Sequence, residues 1–112
     1  MKVTYNELDK LLIMEITEEI DHHTANKIRS RADFEIERNL PQKVIFDFNN
    51  VAFMDSSGIG MLIGRYKLVS SLGGSLYMIN VKPNVKKIFE ISGVLKIIPI
   101  LENIEQLSKK VV

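Results

Sequence analysis

Lys43-Val44-Ile45-Phe46-Asp47-Phe48, then Val51-Ala52-Phe53-Met54-Asp55-Ser56-Ser57-Gly58-Ile59-Gly60, then Met61-Leu62-Ile63-Gly64-Arg65-Tyr66-Lys67-Leu68-Val69 is the stretch that decides the fold. Its first segment is apolar and β-branched without alternation. That pattern predicts a strand covered on both faces, as parallel strands usually are. Its last segment predicts a helix, with Ile59, Leu62, Ile63, Tyr66, Val69 and Leu72 as the core stripe. Asp55, Ser56 and Ser57 therefore stand at a helix start. Small oxygen-bearing side chains are favoured there because they accept hydrogen bonds from N–H groups without helical partners. One cap needs one such side chain. An acid, two serines and a glycine in a row make the stretch a candidate functional loop as well.

Upstream, Val3-Thr4-Tyr5 and Leu11 to Ile16 read as two strands of a hairpin, joined by turn formers from Asn6 to Asp9. Thr17 to Asp21 is a polar connection. Asp21-His22-His23-Thr24-Ala25 opens a helix that Asp21 can cap, its charge suiting the positive end of the helix dipole. Ala25, Ile28, Ala32 and Ile36 follow at helical spacing, with Lys27, Arg29, Arg31, Glu35 and Glu37 on the wet side. Leu40-Pro41 ends this helix, because a residue before proline is pushed out of the α region.

Downstream, Gly73-Gly74 stops the central helix and Ser75 to Ile79 is a strand. Pro83 and Asn84 start a short helix with Val85, Ile88 and Phe89 inward, ended by Gly93. Lys96-Ile97-Ile98 reads as a short strand, with Pro99 at its end. Asn103-x-x-Gln106 resembles a capping box and opens a last helix with Ile104 and Leu107 inward.

The order β-β-α-β-α-β-α-β-α predicts an α/β fold: a single domain over 1–112, a mixed but mostly parallel sheet with an N-terminal hairpin, and four helices. In such sheets functional loops gather at the carboxyl ends of parallel strands, where the Asp55-Ser56-Ser57 loop falls. The absence of cysteine excludes disulfides and thiolate metal sites, and a reducing cytosol fits it. A net charge of +1 leaves no electrostatic footprint for nucleic acid. No apolar run approaches the roughly 20 residues of a membrane span. The N-terminus has no apolar signal-peptide core.

Four chemistries fit these residues poorly. A hydrolase elbow needs Gly-x-Ser-x-Gly, and neither serine has both glycines. Gly58-x-Gly60-x-x-x-Gly64 follows a strand and opens a helix like a dinucleotide fingerprint, but its third glycine is one residue late and a P-loop is absent. Gly60 and Gly64 more simply let something approach one helix face. His22 and His23 diverge by about 100° on a regular helix, which ill suits one metal ion. Glu18-Glu19 and Asp47 with Asp55 lack the groups that would make an acid/base pair. A binding face remains: Gly60, Met61, Gly64 and Leu68 lie beside the core stripe and run away from Ser56. The residues alone favour a small binding module over an enzyme.

Phe53-Met54-Asp55-Ser56-Ser57-Gly58-Ile59-Gly60 with Gly64-Arg65-Tyr66-Lys67 resembles the signature of the bacterial anti-sigma factor antagonists, the STAS-domain proteins. Asp21-His22-His23-Thr24-Ala25 and Lys96-Ile97-Ile98 resemble the sporulation branch of that family. The likeness spans nearly the whole chain; Thr17-Glu18-Glu19-Ile20 departs from it, since relatives usually carry glycine before the acidic residue. The resemblance implies a cytoplasmic binder without catalysis or cofactor of its own. Its implied partners are an anti-sigma factor that is also a serine kinase and a metal-dependent serine phosphatase, with a sigma factor affected only indirectly. No nucleic acid or membrane is implied. Ser56, directly after the aspartate, is the implied phosphorylation site. The expected partner surface takes in Asp21, His23, Asp55, Ser56, Ser57, Gly58, Gly60, Met61, Gly64 and Leu68. Alternatives are a general-stress antagonist of the same family, a small nucleotide-binding module, or a domain cut from an anion transporter. The last would follow membrane spans, whereas this chain begins at Met1.

Overall fold

A computed structural model describes residues 1–107. Strands β1 (Lys2–Asn6) and β2 (Leu11–Glu15) form the antiparallel hairpin. β2, β3 (Lys43–Asp47), β4 (Ser75–Ile79) and β5 (Ile100–Leu101) run parallel, in sheet order β1-β2-β3-β4-β5. Helices α1 (His22–Asn39), α2 (Ser57–Ser71) and α3 (Pro83–Ser92) occupy the three crossovers. Strand order follows chain order, so right-handed crossovers step in one direction and lay all three helices on one face.

Side-chain alternation along the strands then builds two cores. Leu12, Met14, Val44, Phe46 and Met78 meet Ile28, Ala32 and Ile36 of α1, Leu62 and Val69 of α2, and Val85 and Phe89 of α3. The alternate strand residues Leu11, Ile45, Ile79 and Leu101 gather on the other face with Leu107. A fourth helix opens at Glu105 and covers that face. The expected capping box starts it: Gln106 N donates to Asn103 Oδ1 at 3.1 Å and Asn103 N donates to Gln106 Oε1 at 3.3 Å. The expected extent of this last helix, and of the domain, over 108–112 lies outside the described residues. With both faces covered, Val44, Ile45 and Phe46 of β3 are all fully buried, as the unbroken apolar run predicts.

Three sequence expectations are corrected. Lys96-Ile97-Ile98 is not a strand. Gly93, at φ +80°, ends α3 and leads into a 3₁₀ turn, Val94–Lys96, and Ile97 N donates to Val94 O at 3.1 Å. Proline has no N–H for a ladder, but its carbonyl can serve: Met78 N donates to Pro99 O at 3.0 Å, and the strand begins after it. Glu35 is buried rather than wet, beside Arg31 and within reach of Asn39 Nδ2 at 3.3 Å. The buried face of α2 is rotated toward α1, against which the helix packs. Met61, Leu62, Arg65 and Val69 are buried, Ile59, Ile63 and Tyr66 are half-buried, and Leu72 is exposed. Among the described residues no helix is long and apolar enough to cross a membrane.

Candidate functional site

The loop between β3 and α2 is held by its neighbours at the carboxyl edge of the sheet. Ile20 N donates to Phe53 O at 3.3 Å and Asp55 N donates to Ile20 O at 3.0 Å, making a parallel bridge of Ile20 with Met54. Ala52 N donates to Glu19 Oε1 at 3.1 Å, and Asn84 Nδ2 donates to Ala52 O. Segments following β2, β3 and β4 are thus joined at one place.

Met54 points inward and is buried under Gly58. A Cβ on Gly58 would stand 2.3 Å from Met54 Sδ and 2.5 Å from its Cγ. Gly58→Ala is therefore expected to lose about 1–3 kcal/mol through overpacking, read as a lowered urea midpoint with an unchanged slope.

At the helix start the capping work falls to Asp55. Its Oδ1 accepts from Ser57 N at 2.8 Å and its carbonyl accepts from Gly58 N at 3.1 Å. Ser56 occupies the N-cap position at φ −62°, ψ −18°, and its side chain makes no capping bond. The Ser56 side chain is exposed, whereas Ser57 is half-buried. Two adjacent serines therefore have different surroundings: Ser56 faces solvent at the positive end of α2, and Ser57 faces α1.

Between α1 and α2 runs a groove of about 380 Å³. Its walls are His22, Asn26 and Arg29 of α1 and Ser57, Gly60 and Gly64 of α2, with Met61 and Arg65 beneath. A Cβ at Gly60 or Gly64 would meet nothing within 4 Å. Glycine costs roughly 1 kcal/mol against alanine inside a helix. Gly64→Ala should therefore raise stability by about 0.5–1 kcal/mol in a denaturant titration.

Arg65 is buried at the groove floor with its Nε 2.7 Å from Asp33 Oδ1 of α1. The approach is out of line for a hydrogen bond, so the attraction is that of an ion pair. Desolvation lowers the Arg65 pKa, Asp33 opposes this, and Arg29 adds to it. At the N-terminus of α1, Thr24 N donates to Asp21 Oδ1 and Asp21 N donates to Thr24 Oγ1, both at 2.9 Å. The Thr24 N–H holds the Asp21 carboxyl below its ordinary pKa.

The expected surface residues are dispersed accordingly. Asp21 and His23 are exposed at the start of α1, and it is His22 that lines the groove. Gly60 and Gly64 line it too, but Met61 is only 4% exposed and belongs to the core, while Leu68 is half-buried beyond the groove. The expected apolar strip is therefore a glycine-walled groove. Arg65, Asn26 and Arg29 join it although the apolar pattern gives them no place in such a strip. The sequence does carry a signal for Arg65: it stands between Met61 and Val69 in one i, i+4 row, where a charge needs a partner.

Residues 2–107 match the STAS domain family. An anti-sigma F factor antagonist of Paenibacillus polymyxa is 39% identical over 93 residues, covering 83% of this chain and 80% of the relative. An anti-sigma-B factor antagonist of Bacillus subtilis (strain 168) is 32% identical over 98 residues, covering 88% and 86%. The solved structure of the anti-sigma factor antagonist SpoIIAA in its unphosphorylated form superposes with a TM-score of 0.78 at 25% identity, covering 96% of this chain and 95% of that one.

Proposed function

This chain belongs to the STAS-domain family, and we propose that it acts there as an anti-sigma factor antagonist switched by phosphorylation of Ser56. The unphosphorylated chain binds an anti-sigma factor that is also a serine kinase, and so frees a sigma factor for RNA polymerase. The kinase transfers the γ-phosphoryl group of ATP to Ser56 Oγ: the new P–O bond forms as the bond to ADP breaks, and the hydroxyl proton passes to a base of the kinase. The phosphorylated chain lets go, and a metal-dependent phosphatase hydrolyses the phosphoserine. ATP and metal do their chemistry in the partners, and all of it takes place in the cytoplasm.

The observation that carries this reading is the division of labour at the start of α2. Asp55 caps the helix, so the Ser56 hydroxyl is exposed and uncommitted. A phosphoserine adds about −1.5 to −2 charges near neutral pH. The helix dipole favours that charge at an N-terminus and the Asp55 carboxylate opposes it, so the domain keeps its fold. The penalty falls on the interface, where a new charge would be desolvated without a counter-charge.

The sporulation branch of the family is supported by the 39% identity to an anti-sigma F factor antagonist against 32% to an anti-sigma-B factor antagonist. Calorimetric titration of the chain against anti-sigma kinases of both kinds tests this, with tighter binding to the F-type kinase expected. Tighter binding to the B-type kinase would replace the reading by the general-stress one. In the same assay Gly64→Leu should weaken binding without lowering the thermal midpoint, because it fills the groove and not the core.

A further inference from the structure

We infer that Phe53 is the apolar anchor by which the kinase docks beside Ser56, its ring entering an uncharged pocket on that partner. The inference rests on the kinase reading above and adds the residue that holds the complex.

Phe53 is 57% exposed, although the side chains at Val51 and Met54 in the same loop are buried. The loop thus turns its other large apolar groups inward and leaves this ring in water. Its backbone is fixed on both sides. Glu19 and Asn84 hold the N–H and the carbonyl of Ala52, and Ile20 accepts from Asp55 N and donates to Phe53 O. A ring carried on a backbone already ordered loses little freedom on binding, which is what makes an exposed aromatic effective as an anchor.

Position then specifies the partner. Phe53 stands three positions before Ser56, so their Cα atoms lie within about 11 Å. A protein interface of ordinary size takes about 800 Å² from each partner, a patch about 16 Å in radius. An interface of that size centred on Ser56 reaches as far as Phe53, and desolvated aromatic residues are the ones that dominate binding. Leu8, another exposed apolar residue, stands in the turn before β2 at the opposite end of the sheet.

The test uses the full chain, the kinase and ATP, with calorimetry and initial phosphorylation rates. Phe53→Ala is expected to raise Kd about thirtyfold or more, and to raise KM alike with kcat nearly unchanged, because the acceptor serine is untouched. Its thermal midpoint should match wild type, as for other surface changes. Phe53→Leu should recover most of the affinity, and Leu8→Ala should bind as wild type. Wild-type affinity for Phe53→Ala, with Ser56 still phosphorylated, overturns the anchor and leaves the kinase reading standing. An equal loss in Leu8→Ala also overturns it, since the effect would not be local. A wild-type chain that neither binds nor is phosphorylated overturns both.

Discussion

Asp33→Asn is expected to lose about 3 kcal/mol of stability, whereas Arg65→Met, which deletes the same ion pair, should lose less than about 1 kcal/mol. The asymmetry follows from where the two charges sit. The Arg65 side chain is 9% exposed and that of Asp33 32%. Without Asp33 the guanidinium stays buried beside Arg29 with no carboxylate opposite it, and the desolvation that already lowers its pKa is uncompensated. Without Arg65 the carboxylate can still reach water, and the methionine fills the space against α1. The pair's own attraction, screened from the Asp33 side, is the smaller quantity. Denaturant titration of both variants separates these effects. Equal losses would mean that the attraction itself, and not the burial of an unpaired charge, sets the cost.

Ser56→Ala is expected to lose all kinase-dependent phosphate and to remain bound to the kinase when ATP is added. The hydroxyl makes no capping bond in the folded chain, so its removal should change stability by less than about 0.5 kcal/mol. Phosphorylated wild type should bind more than about a hundredfold more weakly than the unmodified chain, since an interfacial charge without a partner costs several kcal/mol. Ser56→Asp should fall between them, because a carboxylate brings a single charge and fewer acceptor oxygens than a phosphate. Calorimetry on the three forms reads the order directly. Equal affinity for Ser56→Asp and wild type would remove charge as the release signal.

The order of elements was legible because apolar period and turn chemistry coincide along this chain. The unbroken Lys43 to Phe48 run fixed a doubly covered strand, and every helix started from a short polar residue or proline next to an apolar row. What was not legible depends on lateral packing. Periodicity locates a helical stripe but not its rotation when a second helix leans on the first. For this reason the apolar pattern puts Met61 on the open side and points to no partner for Arg65, whereas Met61 is buried and Arg65 meets Asp33. The misplaced strand at Lys96-Ile97-Ile98 has a similar cause. Ile98 is fully buried, as a strand residue would be, but in a turn that packs it without pairing it. At the site, the expectation of a cap at Asp55-Ser56-Ser57 holds, and the structure assigns it to Asp55 alone. The groove needed α1 and α2 side by side, which no local pattern specifies.

The most direct measurement of the switch is mass mapping of the chain after incubation with an anti-sigma factor kinase and ATP. A single phosphate on Ser56 is the predicted result. A phosphate on Ser57, or a chain that binds the kinase and is never modified, would contradict it.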